Sequence, residues 1–390
     1  MSLLLFEGII LFFILNRPLD CDELHYVNTI KQFGEELSIS TIKHYNEMST
    51  PLPFILYSIW GRILNYNIQT LRIFSVIIAI ITYLLFHRLI YSMFNDNKIA
   101  LLTTAYIVLN PYMVGLSVLV FTDMLSILFI IISCIAIRNN NPIILSISLA
   151  GCLLCRQYLI FFVLAVGLYY FIKYYNNKSR DNTHIFLMLL SCIISLIPLS
   201  ILVFLWKGLS PINELKNVYL DEGLRFHPSF FNLYVSQLFV YLAPLVVIFW
   251  KSFYNDIKII FGCFIISWFY WLYPIRVSKY QVNSNIYTVG LFHKFIRSIS
   301  GSQFIENVIF YLAFFLGLPI IVAVVKDLYF KLQKNIIDFA LLLDLSIVSF
   351  LLIMPFSYYC WEKYFLPILP LAVMRILLIK YSDSIEITTR

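Results

Sequence analysis

Long apolar stretches recur along the whole chain of 390 residues and limit what it can fold into. A helix needs about 20 consecutive apolar residues to cross the hydrocarbon layer of a bilayer. The chain is 61% hydrophobic and 13% charged, whereas a soluble domain carries about 25% charged residues. We therefore expect an all-α integral membrane protein. The apolar runs lie near 2–16, 71–91, 98–118, 122–137, 142–155, 157–174, 184–206, 230–250, 257–274, 304–325, 336–355 and 363–380.

Several of these runs are too short for a full span and must be broken or tilted. The pattern predicts a bundle of about 11–13 transmembrane helices with amphipathic helices in the outer loops. The stretch PLPFILYSIWGRIL at 51–64 is short and begins with proline, which favours an interfacial helix. The first run lacks a basic leader and a small-residue cleavage site, so we expect a transmembrane helix there. Because no repeat or linker is visible, a single transmembrane domain is predicted over residues 1–390.

The distribution of basic residues predicts which loops face the cytoplasm. The net charge of +7 does not indicate a nucleic-acid-binding face, because many of the basic residues sit in short loops between apolar runs, as the positive-inside rule expects. Both sides carry similar numbers of basic residues, so the bias is one of density in the short loops. The longer connections at 17–70, 207–229 and 275–303 then lie on the opposite, outer side. The one N-glycosylation sequon, NKS at 177–179, falls in a loop predicted to be cytoplasmic. The short basic loops contain Lys98, Arg138, Lys173, Lys178, Arg180, Lys251, Lys258, Lys326, Lys331 and Lys334.

The cysteines indicate no metal ribbon. Cys152 and Cys155 form a C-x-x-C inside an apolar run without a second pair, which favours small buried side chains. Cys21 and Cys360 fall on the same predicted side of the membrane, and the sequence leaves open whether they pair.

Ionisable residues cluster at the predicted outer ends of the apolar runs. The stretch NRPLDCDELHYV at 16–27 places Asp20, Asp22 and Glu23 where the first run ends, so that they open the outer loop 17–70. Charges at a membrane cost a few kcal/mol each on insertion scales and often mark functional sites. Each alone is also consistent with a solvated helix end, but their convergence on one side favours a site. The other candidates are Asp123, Arg156, Gln157, Arg225, His227, Glu362 and Lys363.

Acids and bases at one set of helix ends suit the transfer of a sugar from a lipid phosphate to a hydroxyl. A carboxylate can accept the proton of the attacking hydroxyl, and arginine or lysine can neutralise the departing phosphate. The apolar helices would hold the lipid tail. A transporter or lipid flippase would instead be expected to bury charges within helices and to contain related halves. A non-catalytic subunit of a membrane complex is a third alternative.

Several stretches, taken in order, resemble the C-type membrane glycosyltransferases that use polyprenyl-phosphate sugars. Within that group the chain is most similar to the dolichyl-phosphate-glucose α-1,2-glucosyltransferases of the endoplasmic reticulum, which complete the lipid-linked N-glycan precursor. The chain departs from their pattern at Pro51-Leu52-Pro53, where the family usually has Pro-Pro, and in the position of His25. The matching stretches are DELHYV at 22–27, STPLPFILYS at 49–58, NPYMVGLSVLVFTDMLS at 110–126, CRQYLIFF at 155–162, SQLFVYL at 236–242, SNIYTVGLFHKF at 284–295 and WEKYFLPILP at 361–370.

The resemblance implies an inverting glucosyltransferase with a polyprenyl-phosphate sugar donor and a lipid-linked oligosaccharide acceptor. It implies a multi-pass protein of the endoplasmic reticulum membrane. The alternative is a prokaryotic plasma-membrane enzyme that uses an undecaprenyl-phosphate sugar for an envelope glycan. No cofactor is expected, and a divalent metal, which some members of the superfamily use, stays open.

The resemblance also implies roles for individual residues. Asp22 is the expected general base, with Asp20 as the competing candidate, and Glu23 would orient or bind the acceptor sugar. The remaining candidates are expected to bind substrate: Arg156 with Gln157 at the donor phosphate or the acceptor glycan, Asp123 as a support of the outer cavity, Glu362 and Lys363 as its lining, and Arg225 and His227 in the second outer loop.

Overall fold

The computed structural model describes residues 2–19, 22–176, 182–212, 225–283, 285–357 and 359–388. These residues form α-helices, short 3-10 turns and connecting loops, and contain no β-strand. The prediction of an all-α fold is confirmed. Asp20, Cys21 and the sequon asparagine Asn177 lie outside the described residues, so the expectations attached to them stay predictions.

The chain divides into two compact units. The first comprises Met1–Val163 and Asp181–Val218, and the second comprises Leu164–Arg180 and Tyr219–Arg390. The expectation of a single functional domain stays a prediction.

Twelve helices begin in the first part of the chain. They are α1 (Ser2–Ile14), α2 (Glu23–Glu35), α3 (Ile39–His44), α4 (Leu52–Leu64), α5 (Ile68–Phe94), α6 (Asn97–Val108), α7 (Pro111–Val118), α8 (Asp123–Arg138), α9 (Pro142–Cys155), α10 (Ile160–Asn176), α11 (Thr183–Ser195) and α12 (Ile197–Trp206). The later helices are α13 (Pro228–Ile248), α14 (Trp250–Tyr254), α15 (Ile257–Ser267), α16 (Phe269–Leu272), α17 (Lys279–Asn283), α18 (Leu291–Ser300), α19 (Gln303–Lys334), α20 (Phe339–Ile353) and α21 (Leu369–Thr388).

Six described helical segments are long and apolar enough to cross a membrane, counting α11 and α12 as one, or seven if the bent pair α6–α7 is one span, so the chain is a multi-pass membrane protein. The two helices of that pair meet at 77°. The number is smaller than the predicted 11–13 because several apolar runs fold into shorter helices. The 14 residues of α9, at 1.5 Å per residue, reach only about 21 Å of the roughly 30 Å hydrocarbon layer. The six spans are Ile68–Phe94, Gln157–Asn176, Thr183–Trp206, Pro228–Ile248, Gln303–Lys334 and Phe339–Phe356.

Short polar side chains set many of the helix boundaries. The side chain of Asn67 accepts a hydrogen bond from the Thr70 amide at the start of α5, and Asp256 does the same for Lys258 before α15. Such caps satisfy amides that have no partner within the helix. At the other end of α5, Asn95 adopts a left-handed conformation (φ 50°) and stops the helix.

In the first unit, α5 is the central helix and packs against α1, α4, α6, α7 and α8. Helix α2 packs on α4, and α9 packs against α8 and α11. This packing places the start of α2, the start of α8 and the residue that follows α9 close to one another. The C-x-x-C cysteines Cys152 and Cys155 are fully buried free thiols, as expected.

In the second unit, α19 packs against α13, α15 and α18, and α20 packs on α21. A charge network that is buried at Arg375, Asp344 and Lys331 joins three of its helices. Arg375 Nε on α21 lies 2.5 Å from Asp344 Oδ1 on α20 and also contacts Asp327 on α19. Lys331 Nζ lies 2.9 Å from Asp327 and 3.1 Å from Asp338. Because such charges are costly away from water unless they are paired, the network specifies how these helices meet.

Candidate functional site

Of the two described carboxylates in the acidic stretch, Asp22 is the accessible one. It is the N-cap residue of α2, but its side chain makes no capping hydrogen bond. Instead, Asp22 Oδ2 accepts a long 3.5 Å bond from the Tyr26 hydroxyl, and Oδ1 lies 3.9 Å from His25 Nε2. Residues three and four positions apart share one face of a helix, which explains the grouping. The Asp22 side chain is 29% exposed and that of His25 is 57% exposed, so both can contact a ligand.

Asp123 and Arg156 form a buried ion pair. Asp123 opens α8, and Arg156 is the extended residue that follows α9. Arg156 Nη2 donates to Asp123 Oδ2 at 2.8 Å, and Nη1 donates to Ser49 Oγ at 2.7 Å. Both charged side chains are almost fully buried. The pair therefore fixes the ends of two helices and the loop containing Ser49, since a lone buried charge would be costly.

Tyr26 connects Asp22 with this ion pair. Arg156 Nη2 lies 3.5 Å from the Tyr26 hydroxyl oxygen, and that hydroxyl lies 3.5 Å from Asp22. A guanidinium only donates and a carboxylate only accepts. Arg156 thus donates to Tyr26, and Tyr26 donates to Asp22. The result is one continuous polar chain from the buried Asp123 to the accessible Asp22.

Glu47 forms a second branch beside Asp22. His25 Nδ1 lies 2.7 Å from Glu47 Oε1, and Thr29 donates to the same oxygen at 3.2 Å. Glu47 is buried whereas the His25 ring is exposed. The carboxylate consequently orients the imidazole, whose other nitrogen faces Asp22.

Glu23 is placed differently from its neighbour Asp22. Glu23 Oε1 and Oε2 accept from Arg72 Nε and Nη2 at 3.1 and 2.6 Å, and Oε1 also accepts from the Val120 amide at 2.9 Å. Arg72 further donates to the carbonyls of Ile14 and Arg17. Both members of the pair are fully buried. The pair ties α2 to α5 and to the end of α1, while the expected contact of Glu23 with acceptor sugar stays a prediction.

Gln157 holds backbone segments together. Its side-chain amide donates to the Met48 carbonyl at 2.6 Å and to the Leu209 carbonyl at 2.9 Å. Thr50 donates to the Leu153 carbonyl at 3.0 Å and fixes the same loop to α9. Residues 48–50 are therefore held rigidly beside Arg156.

The other expected site residues lie in the second unit. Glu362 is fully buried and accepts from the amides of Phe292 and His293, both at 2.8 Å, at the start of α18. Lys363 Nζ lies 5.6 Å from the Trp361 ring. His227 is the N-cap residue of α13 and stacks on Phe230, and Arg225 is exposed. Glu362 thus anchors a helix, and substrate contacts of these four residues stay predictions.

Within the described part of the chain, no cluster of three or more His, Cys, Asp or Glu side chains is arranged to hold a metal ion. Asp20, the competitor of Asp22, lies outside the described residues.

The structure adds Tyr26, Glu47, Ser49 and Tyr158 to the expected residues. The Tyr158 hydroxyl oxygen lies 3.5 Å from Asp123 Oδ1. The four-residue spacing of Asp22 and Tyr26 was a signal in the sequence, as was the position of Tyr158 two residues after Arg156. Glu47 and Ser49 lie in a loop, so no periodic pattern in the sequence predicts which way their side chains point.

Comparisons with known proteins add no family assignment to this geometry. No protein-family model, no curated protein and no solved structure matches the chain.

Proposed function

We propose that the protein is an inverting membrane hexosyltransferase that uses a polyprenyl-phosphate sugar, with Asp22 as its general base. One observation carries the proposal: an accessible carboxylate is joined through Tyr26 to a buried arginine–aspartate pair in a membrane protein. A base needs contact with substrate together with a fixed position. Asp22 meets both requirements, because it is partly exposed and its neighbours are held by buried groups.

In the proposed reaction the acceptor hydroxyl attacks the anomeric carbon of the lipid-linked sugar. Asp22 takes the hydroxyl proton as the new carbon–oxygen bond forms. The bond between the anomeric carbon and the phosphate oxygen breaks, and its electron pair leaves with the lipid phosphate. Direct displacement inverts the anomeric centre, so a β-linked donor gives an α-linked product.

Arg156 and Tyr26 act as positioning residues in this proposal. The Tyr26 hydroxyl accepts from Arg156 and donates to Asp22, so the buried ion pair fixes the position of the base through Tyr26. Asp123 balances the charge of Arg156, so Asp22 does not meet an uncompensated cation. His25, held by Glu47, lies beside Asp22 and offers a second polar contact to an acceptor hydroxyl.

The location of the proposed site's charged groups favours an enzyme over a transporter or flippase. Asp22 and Asp123 start helices, and Arg156 follows one. A transport pathway would instead place binding groups near the middle of broken membrane helices. A site at helix ends suits a reaction at the membrane surface.

The sequence stretches that resemble C-type glycosyltransferases support the finer assignment. We infer that the donor is dolichyl-phosphate glucose, and that the acceptor is the terminal glucose of the lipid-linked N-glycan precursor at the lumenal face of the endoplasmic reticulum. A prokaryotic enzyme using undecaprenyl-phosphate sugar is the alternative. An assay with the two lipid phosphates, each carrying labelled hexose, separates them by which donor is consumed.

Replacing Asp22 tests the proposal. We expect Asp22→Asn to lower hexose transfer from the labelled donor at least about 100-fold, because the amide cannot accept the proton. The variant should keep the thermal stability of the wild type in detergent, since the Asp22 side chain makes no capping hydrogen bond and asparagine has nearly the same shape.

Asp256→Asn is the matched control, because Asp256 is the N-cap residue of α15 and lies in a loop predicted to be cytoplasmic. It should transfer sugar at the wild-type rate. Full transfer by a folded Asp22→Asn protein would exclude Asp22 as the base. Labelled substrate accumulating in vesicles without any glycosyl transfer would favour a transporter.

A further inference from the structure

The second unit contains a polar cavity that the proposed transfer site does not use. Its volume is about 240 Å³, and it lies among α18, the first turns of α19 and the segment before α17. This volume is below the roughly 300–1,000 Å³ of sites that enclose a drug-sized ligand, so the cavity suits a headgroup. Its polar lining includes Arg276, His293, Arg297, Gln303, Glu306 and Asn307.

The single acid of this lining set is already engaged by two neighbours. Glu306 Oε1 lies 3.1 Å from Arg297 Nε, and Oε2 lies 3.1 Å from His293 Nε2. His293 Nδ1 accepts from the Val289 amide at 3.1 Å, so Nε2 carries the proton and donates to Glu306. Burial lowers the pKa of His293 from its ordinary value and keeps the ring neutral. Arg297 therefore balances the charge of Glu306.

Arg276 gives the cavity its excess positive charge. Its side chain is exposed, and among the described residues it forms no hydrogen bond or ion pair. Arg297 also donates to the Tyr287 carbonyl at 2.7 Å, which fixes its direction. One held guanidinium and one available guanidinium thus line the same small space, together with the amides of Gln303 and Asn307.

The helix beside the cavity also suits a membrane surface. Leu291, Phe295 and Ile299 recur every four residues along α18 and are exposed, whereas His293 and Ile296 are buried. A short helix with one exposed apolar stripe and one polar face is typical of the bilayer interface. Lipid phosphates lie at this depth, and Glu362 holds the start of the helix in place.

We propose that this cavity binds the phosphate group of a phosphomonoester or phosphodiester, with Arg276 and Arg297 as its ligands. Guanidinium groups suit phosphate because they offer several donors in one plane. The apolar stripe on α18 points to a membrane lipid as the source. The choice of a polyprenyl phosphate, the sugar carrier, as the lipid rests on the proposed function. The phosphate site itself does not.

Binding to the full-length protein in nanodiscs tests the site. The probes are a short-chain polyprenyl phosphate, the corresponding uncharged polyprenol and inorganic phosphate, each measured by native mass spectrometry or with a radiolabel. We expect the polyprenyl phosphate to bind and the polyprenol to bind at least about tenfold more weakly, because it lacks the charge. Arg276→Gln should lower polyprenyl-phosphate affinity by about tenfold, and Arg276→Lys by less.

Lys294→Gln is the matched control, since Lys294 is an exposed cation on α18 that is not part of the cavity lining. It should bind the probe as the wild type does. Inorganic phosphate that competes in the wild type but not in Arg276→Gln would support a phosphate site whose source is free in solution. Unchanged binding in Arg276→Gln and in Arg276→Gln/Arg297→Gln, or equal binding of polyprenol and its phosphate, would overturn the site.

The two proposals fail separately. Asp22→Asn should bind polyprenyl phosphate normally while losing transfer. If it retained transfer while Arg276→Gln lost binding, the base assignment would fall and the phosphate site would stand.

Discussion

Asp22 and Glu23 are adjacent in the sequence, but their side chains meet different surroundings. Successive residues of a helix point about 100° apart, so the first turn of α2 directs Asp22 towards Tyr26 and His25 and directs Glu23 into the core. Asp22 keeps partial contact with solvent, whereas Glu23 is fully buried against Arg72. One carboxylate is thereby suited to chemistry and the other to holding α2 in place.

The buried pair of Glu23 and Arg72 predicts a large loss of stability on truncation. Glu23→Ala should destabilise the protein by about 3–5 kcal/mol, because it leaves the Arg72 charge buried without its partner. The measurement is denaturant or thermal unfolding in detergent. Replacing both residues, as in Glu23→Gln/Arg72→Met, should cost less than Glu23→Ala.

Glu35→Ala provides the comparison, because Glu35 is exposed at the end of the same helix. It should change stability by less than about 0.5 kcal/mol. A Glu23→Ala protein as stable as Glu35→Ala would contradict the structural role of the pair.

Among the helices, the contact between α13 and α19 depends on a glycine, which has no side chain. Gly317 on α19 lies against the backbone of Val235 on α13, and a Cβ at Gly317 would overlap the Val235 carbonyl oxygen. Small residues let membrane helices approach closely and gain packing contacts. The hydroxyl of Ser236 adds to the same contact by donating to the Phe310 carbonyl at 3.2 Å.

Gly317→Ala should therefore separate the two helices. We expect a loss of about 1–3 kcal/mol, as for other overpacked sites, measured as a lower unfolding midpoint in detergent. Gly262→Ala, on α15, has open space around the added methyl group. It should be neutral or up to about 1 kcal/mol more stable, since alanine favours a helix. Equal effects of the two substitutions would show that close approach at Gly317 is not needed.

Apolar runs identify helices better than they identify spans. The run at 71–91 lies within the 27 residues of α5, whereas the run at 98–118 is broken into α6 and α7 around Asn110 and Pro111. Asn110 caps α7 with its side chain, and the proline after it occupies the first turn. Hydrophobicity alone does not predict such a bend, because the bend depends on the local backbone conformation.

At the scale of the whole molecule, the basic loops predict how the chain is oriented. The loop containing Lys98 is expected on the cytoplasmic side, and the segment between α1 and α5, which carries Asp22, on the outer side. The segment folds as three helices, α2 to α4, and not as an open loop.

Cysteine labelling should verify this orientation. Lys98→Cys and Glu36→Cys place thiols at exposed positions of the two sides, and the cysteines in the described part of the chain are buried. With Cys21 changed to serine, a membrane-impermeant maleimide applied to sealed vesicles should label Lys98→Cys only from the cytoplasmic face. It should label Glu36→Cys only from the other face. Labelling of both from one face would contradict the predicted orientation, and labelling of Glu36→Cys from the cytoplasmic face would place the proposed site on the wrong side.

The sequence by itself determined the class of the molecule, because hydrophobic content and the length of apolar runs already require helices in a membrane. It also indicated the segment that opens with Asp22, since charge is rare in this chain. Only the tertiary structure decided which carboxylate is buried, that Arg156 pairs with Asp123, and that Tyr26 joins the pair to Asp22. These contacts link residues up to 130 positions apart. Their geometry follows from how helices pack, which no local pattern of residues records.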